Sequence, residues 1–203
     1  RPRVRIAARN ERGPERAGVG TTSIAAVVGG VPVGVDEVDA REDRLRGSRL
    51  ASSLPHRGTS EGRQLRRWLT QLLVTERVVA AEAATRGLTA DGAPGEDDLL
   101  PDTTTRLEIG SIAASVLADP MARALFVSVT GAVDITDAQV QDYLERNPRR
   151  FAGAAQIADH LLGAARRRAF RLWLDARCAE LVELAPGYEH PGDPRQPDNT
   201  HRH

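Results

Sequence analysis

The 203-residue sequence contains no lysine, so each of its 28 fixed positive charges is an arginine. Arginine alone is what the codon bias of a GC-rich genome produces, and it brings a guanidinium suited to bidentate binding of carboxylates and phosphates. The 28 acidic side chains balance the arginines, giving a formal net charge of +0. That balance lacks the basic footprint of sequence-independent nucleic-acid binding, so DNA and RNA are not expected as partners. Cys178 is the only cysteine, which excludes an intramolecular disulfide and any need for an oxidising compartment. Its expected place is as a small apolar residue on a helix. The arginine-rich first 23 residues carry no apolar stretch long enough for a signal peptide or a membrane span, so a cytoplasmic protein without membrane contact is expected. Zinc or iron signatures such as H-E-x-x-H, the G-x-S-x-G elbow and paired carboxylates beyond ordinary helix-surface charges are also lacking, which leaves hydrolase and kinase chemistry without a foothold.

What is present divides into three parts. Residues 1–22 show no periodicity and read as a disordered leader, 23–185 as one helical domain, and 186–203 as a tail rich in His, Asp and Pro. The domain opens with two apolar runs, 24–28 and 31–34, around Gly29-Gly30, a dipeptide that accepts the positive φ values of a tight hairpin. Asp36 then caps a short helix to about Arg46, with Val38 and Leu45 inward. From Ser60 to Arg86, Leu65, Trp68, Leu69, Leu72, Val79 and Ala83 recur at helical spacing, with Arg63, Arg67, Glu76 and Arg77 on the opposite face. Gly87 ends that helix and "TADGAPGEDD" follows as a solvated loop. A helix from about Thr104 to Leu117 is followed by a restart at Asp119-Pro120. Thr136 caps a further helix that Pro148 terminates. The last long helix spans about 154–183, with Ile157, Leu161, Ala165, Leu172, Trp173 and Leu181 inward and Arg166, Arg167, Arg168 and Arg171 largely outward. The expected fold is therefore mainly α, with a small N-terminal β-hairpin completed by a strand near 181–185 and an extended C-terminal tail.

The order of these parts resembles the SurA/PrsA family of peptidyl-prolyl isomerase chaperones. "IAAVVGGVPVGVDEVDARE" looks like that family's opening hairpin and helix, "DITDAQVQDYLERNPRRF" like the capped helix leading into the parvulin domain, and "ARRRAFRLWLDARCAELVEL" like the helix and strand that return after it. Only Ala152 and Gly153 separate Phe151 from the last helix, too few residues to hold an isomerase domain. The resemblance therefore implies the helical chaperone lobe without prolyl isomerase activity. By the same resemblance, an apolar peptide or small molecule would bind between the helices near Trp68, Leu72, Phe126 and Trp173, residues whose helical spacing equally suits a core.

Two further sites are written in the residue types. The tail offers His190, Asp193, Asp198, His201 and His203, imidazoles and carboxylates suited to a divalent transition metal such as Zn, Fe, Mn, Ni or Cu. His201 and His203 share one side of an extended backbone, and His190 would close the site if the prolines return the chain. The alternatives are a docked tail without metal and an unordered one. Arg166, Arg167, Arg168 and Arg171 form either a solvated face or a docking stripe for an acidic partner such as a carrier protein of a biosynthetic pathway. The leading expectation is a binding accessory protein, and the alternative a metal-dependent protein or enzyme of secondary metabolism. His160, at the edge of the inward face, reads as a hydrogen-bonded core residue or a further ligand.

Overall fold

The computed structural model describes residues 23–148, 153–195 and Asp198. The leader expected over 1–22 and the junction 149–152 lie outside the described residues. The chain begins with β1 (Ile24–Val28) and β2 (Val31–Gly34), paired antiparallel around Gly29 and Gly30 at φ 55° and 83°. Only glycine takes two successive left-handed positions without strain, which is why this dipeptide makes the turn. At the far end of the chain β3 (Val182–Leu184) pairs antiparallel with β1, giving the strand order β2-β1-β3. Ala25 and Ala26 are both fully buried, at the point where the pairing of β1 with β2 shifts register by one residue.

β2 runs without a loop into α1 (Val35–Arg46), so the N-cap is Gly34 rather than the expected Asp36, and its N–H donates to Glu37 Oε1 at 3.1 Å. Val38 is buried as expected, Leu45 only half so, and the other buried residue of α1 is Glu42. The long α2 (Ser60–Thr85) starts at Thr59, whose hydroxyl accepts from the Gly62 N–H at 3.0 Å. It serves two cores. Leu72 and Val79 enter a cluster with Leu125, Phe126, Phe170 and Leu174, whereas Val74 and Val78 pack on Ala26, Val28 and Val33 of the sheet. Residues 72 and 74 stand about 200° apart round a helix, so the two sets occupy nearly opposite faces.

Between α2 and the last helix lie α3 (Glu96–Leu99), α4 (Thr103–Ile109), α5 (Ser111–Val116), α6 (Pro120–Thr130) and α7 (Asp137–Arg146). The loop expected after Gly87 contains the single turn α3 and is pinned by two arginines. Arg106 pairs with Glu96 at 2.5 Å, and Arg123 Nε donates to the Pro94 carbonyl at 2.7 Å. The single helix expected from Thr104 to Leu117 is broken at Gly110, where φ is 94°, a left-handed value that ends α4 and turns the chain into α5. Pro120 at the first turn of α6 and Thr136 as cap of α7 stand as expected.

α8 (Ala154–Leu181) closes the bundle and continues directly into β3. Its buried side chains are Ile157, Arg167, Phe170 and Leu174. Leu172, expected inward, is 51% exposed, and Arg167, expected outward, is buried at 9%. Arg167 is held by a bond from Nη1 to the Leu99 carbonyl at 3.2 Å. The face of α8 that meets the bundle is thus rotated toward Phe170 and Leu174.

Candidate functional site

Arg63, Arg67, Gln71 and Thr75 follow one another at four-residue intervals along α2 and so form one slowly drifting strip. The sequence places Arg63 and Arg67 on the solvated face; Arg63 is indeed exposed, but Arg67 is covered by the tail, and α8 lies against the other end of the strip at Thr75. Arg67 is 5% exposed. Its Nη1 donates to Asp198 Oδ2 at 2.7 Å and its Nε to the Gly187 carbonyl at 3.3 Å. Arg63 donates through Nε and Nη2 to the two oxygens of Asp198, at 3.1 and 2.5 Å. Arg66, one residue away, reaches the Tyr188 hydroxyl at 3.3 Å and lies over its ring at 6.0 Å. These bonds hold the Asp198 carboxyl down at a pKa of about 2, first through Arg63 and then Arg67.

The lower half of the strip borders a cleft of about 600 Å³ between α2, the α4–α5 break, α8 and β3. Ile109, Ile112, Ala113 and Leu174 give it apolar walls, Val182 and Leu184 add the edge of β3, and His190 of the tail closes one side. Gln71, Thr75, Ser111, Arg171, Asp175 and His190 add polar groups to the lining. The Thr75 hydroxyl donates to the Gln71 carbonyl at 2.7 Å, leaving Thr75 Oγ1 to accept from the Cys178 thiol at 3.8 Å. Burial raises the Cys178 pKa, so the thiol lines the cleft as a slow nucleophile. The Nε2 donor of Gln71 is buried without a hydrogen-bond partner among the described residues. A second cavity of about 400 Å³, lined by Glu108, Ala164, Arg167 and Arg168, shares Ile109 and Arg171 with the first.

None of the four large residues expected to line a ligand groove borders this cleft. Leu72 and Phe126 are core residues, 5% and 3% exposed. Trp68 is half-buried with its Nε1 donating to Ser111 Oγ at 3.1 Å, and Trp173 stacks on Phe170 with ring centroids 5.9 Å apart beneath the Arg86 guanidinium. Their size makes them the best core fillers. Smaller side chains at element ends leave the space. The only sequence signal for the cleft is the repeat of polar residues every fourth position on α2.

Among the described residues, the candidate tail ligands His190, Asp193 and Asp198 are not gathered. His190 borders the cleft, its Nδ1 accepting from the Gly192 N–H at 3.0 Å. Asp193 pairs with Arg195, which pulls its pKa down to about 2. Asp198 belongs to Arg63 and Arg67. His201 and His203 lie outside the described residues. Among the described residues no three His, Cys, Asp or Glu side chains stand as a metal-binding group. The arginine run on α8 is likewise divided. Arg167 is buried and Arg166 half-buried, its Nε without a partner among the described residues, leaving Arg168 and Arg171 of the four exposed. His160 is half-buried with its ring against Tyr143, centroids 5.7 Å apart.

A family model described as "Family of unknown function (DUF7158)" matches residues 24–61. That segment comprises the hairpin, α1 and the first turn of α2, and its centre is the buried Glu42 carboxylate, which accepts from Arg46 at 2.7 Å, Arg57 at 3.0 Å and Arg66 at 2.9 Å. Burial pushes the Glu42 pKa up, but the three arginines outweigh it and the net shift is downward. No curated protein and no solved structure matches the chain. Among the described residues no helix is long and apolar enough to cross a membrane.

Proposed function

We propose that the protein is a cytoplasmic binding protein that holds an extended or apolar ligand, a peptide or a small molecule, in the cleft between α2 and α8. The observation that carries this reading is the cleft itself. Its volume of about 600 Å³ falls within the range of ligand pockets, roughly 300–1,000 Å³, and its apolar wall of Ile109, Ile112, Ala113, Leu174, Val182 and Leu184 beside a polar set is what such pockets offer. β3 supports an extended ligand, because among the described residues it pairs only with β1, and its Val182 and Leu184 border the cleft. The resemblance of the hairpin, capped helix and returning helix-strand to the SurA/PrsA chaperone lobe adds the same expectation.

Calorimetric titration with an unstructured peptide rich in leucine and valine tests the reading. Ala179 is an exposed residue on the cleft wall, so Ala179→Arg fills the space while leaving the core intact. Saturable binding by the native chain and its loss in Ala179→Arg, with an unchanged circular dichroism spectrum, is the expected result. No binding to any apolar peptide or small molecule, or equal binding by the variant, would remove the proposal.

A further inference from the structure

The two cavities beside α8 are neighbours, with Ile109 and Arg171 lining both. Together their linings follow α8 from Ala164 to Ala179, a helix rise of about 22 Å. Their linings differ in character. The larger is walled by Ile109, Ile112, Leu174 and Val182, whereas the smaller brings Arg167, Arg168 and Arg171 against the single carboxylate of Glu108. Arg167 is committed to the Leu99 carbonyl. Arg168 and Arg171 are exposed, and among the described residues neither is engaged in a salt bridge or hydrogen bond. Asp175, one turn beyond Arg171, lines only the larger cavity.

We infer that this groove takes a long-chain carboxylate, with its anionic head at Arg168 and Arg171 and its apolar chain in the cleft against Ile112, Leu174 and Val182. Two free guanidiniums at one end of an apolar channel are complementary to such a molecule in both charge and polarity, because guanidinium pairs with carboxylate in bidentate fashion and the chain leaves water. Glu108 and Asp175 oppose the anion, but the smaller cavity still holds a surplus of positive charge. The inference rests on the proposed use of the cleft and adds the chemical class of its occupant.

Cys178, the sole cysteine, lines the larger cavity and reports occupancy through its rate of alkylation by iodoacetamide in the full chain. Decanoate, decanol and decyltrimethylammonium share one chain and differ in head charge. Decanoate should protect Cys178 at concentrations about tenfold lower than decanol, the difference expected for a charge-assisted bond, and the cationic amphiphile should protect least. In the double variant Arg168→Gln, Arg171→Gln the ratio of decanoate to decanol protection should fall from about ten to about one. Equal protection by decanol in the native protein, preference for the cation, or a preference for decanoate that survives the double substitution would overturn the inference while leaving apolar binding in place. If decanoate and decanol both fail and the peptide titration is also silent, the inference falls together with the function it rests on.

Discussion

The Asp198 carboxylate receives a hydrogen bond from Arg67 Nη1 at 2.7 Å across 131 residues of chain. With Arg63 also donating to it and Arg67 also holding the Gly187 carbonyl, this contact straps the described part of the tail over the first turns of α2. The strap passes His190, which borders the cleft, so tail and ligand site share one boundary.

Asp198→Asn should release the strap. Neutralising the carboxylate removes the charge that two guanidiniums share, and the chain beyond Ala185 should then be cut by trypsin several-fold faster while α2 and α8 stay resistant, because cleavage follows local opening. Limited proteolysis read by mass spectrometry checks this, and an unchanged cleavage rate would show that the pair does not hold the tail.

The same contact sets a pH window. The folded pKa of Asp198 is about 2, below the ordinary 3.8. A depressed carboxylate pKa gives stabilisation that is complete above the ordinary value and is lost as pH falls through the folded one. Tail protection should therefore be constant from neutrality to about pH 4 and decline between about 4 and 2. Asp198→Asn should flatten that decline, as measured by hydrogen exchange of residues 187–195.

Glu42→Gln should destabilise the protein by about 2–3 kcal/mol, less than the loss of a fully buried partner because its arginines reach solvent. Glu42 is 1% exposed and takes bonds from Arg46, Arg57 and Arg66, so its removal leaves three cations facing one another. Urea denaturation measures the loss, and a change below about 0.5 kcal/mol would contradict the network's role.

Gly62→Ala should cost about 1–3 kcal/mol, the range for overpacking. A Cβ at this position would stand 2.2 Å from the His56 carbonyl oxygen, a backbone atom that cannot swing away. Thermal unfolding of the variant tests whether the turn at residues 56–59 must lie against α2.

Gln71→Leu should stabilise the chain by about 1 kcal/mol, since a buried donor without a partner costs about 1–3 kcal/mol that an apolar side chain does not. The Gln71 Nε2 is such a donor. A fall in melting temperature would mean that the amide is satisfied in solution.

The helical skeleton was legible wherever large apolar residues repeat at helical spacing or a cap is written in the sequence. α2, α7, α8 and the Gly29-Gly30 hairpin lie close to where Leu69, Leu72, Thr136 and the glycines put them. The break at Gly110 was not, because a lone glycine in a helical pattern is tolerated as often as it interrupts. The buried charges escaped for a different reason. Arg67 and Arg167 look like surface residues on a helical wheel, and their partners, Asp198 and the Leu99 carbonyl, are set by long-range folding rather than by local pattern. The cleft was hidden because sequence reasoning looks for large side chains, whereas the space is left by small ones such as Ala113 and Ala179.

The most direct test of cleft binding is the alkylation rate of Cys178 in the presence of a saturating apolar peptide, compared between the native chain and Ala179→Arg. The account predicts a rate slowed at least about tenfold by peptide in the native chain, as expected when a ligand excludes reagent from a lining thiol, and no slowing in the variant. A Cys178 rate that is the same with and without peptide, although the peptide binds, would place the ligand elsewhere on the protein and contradict the account.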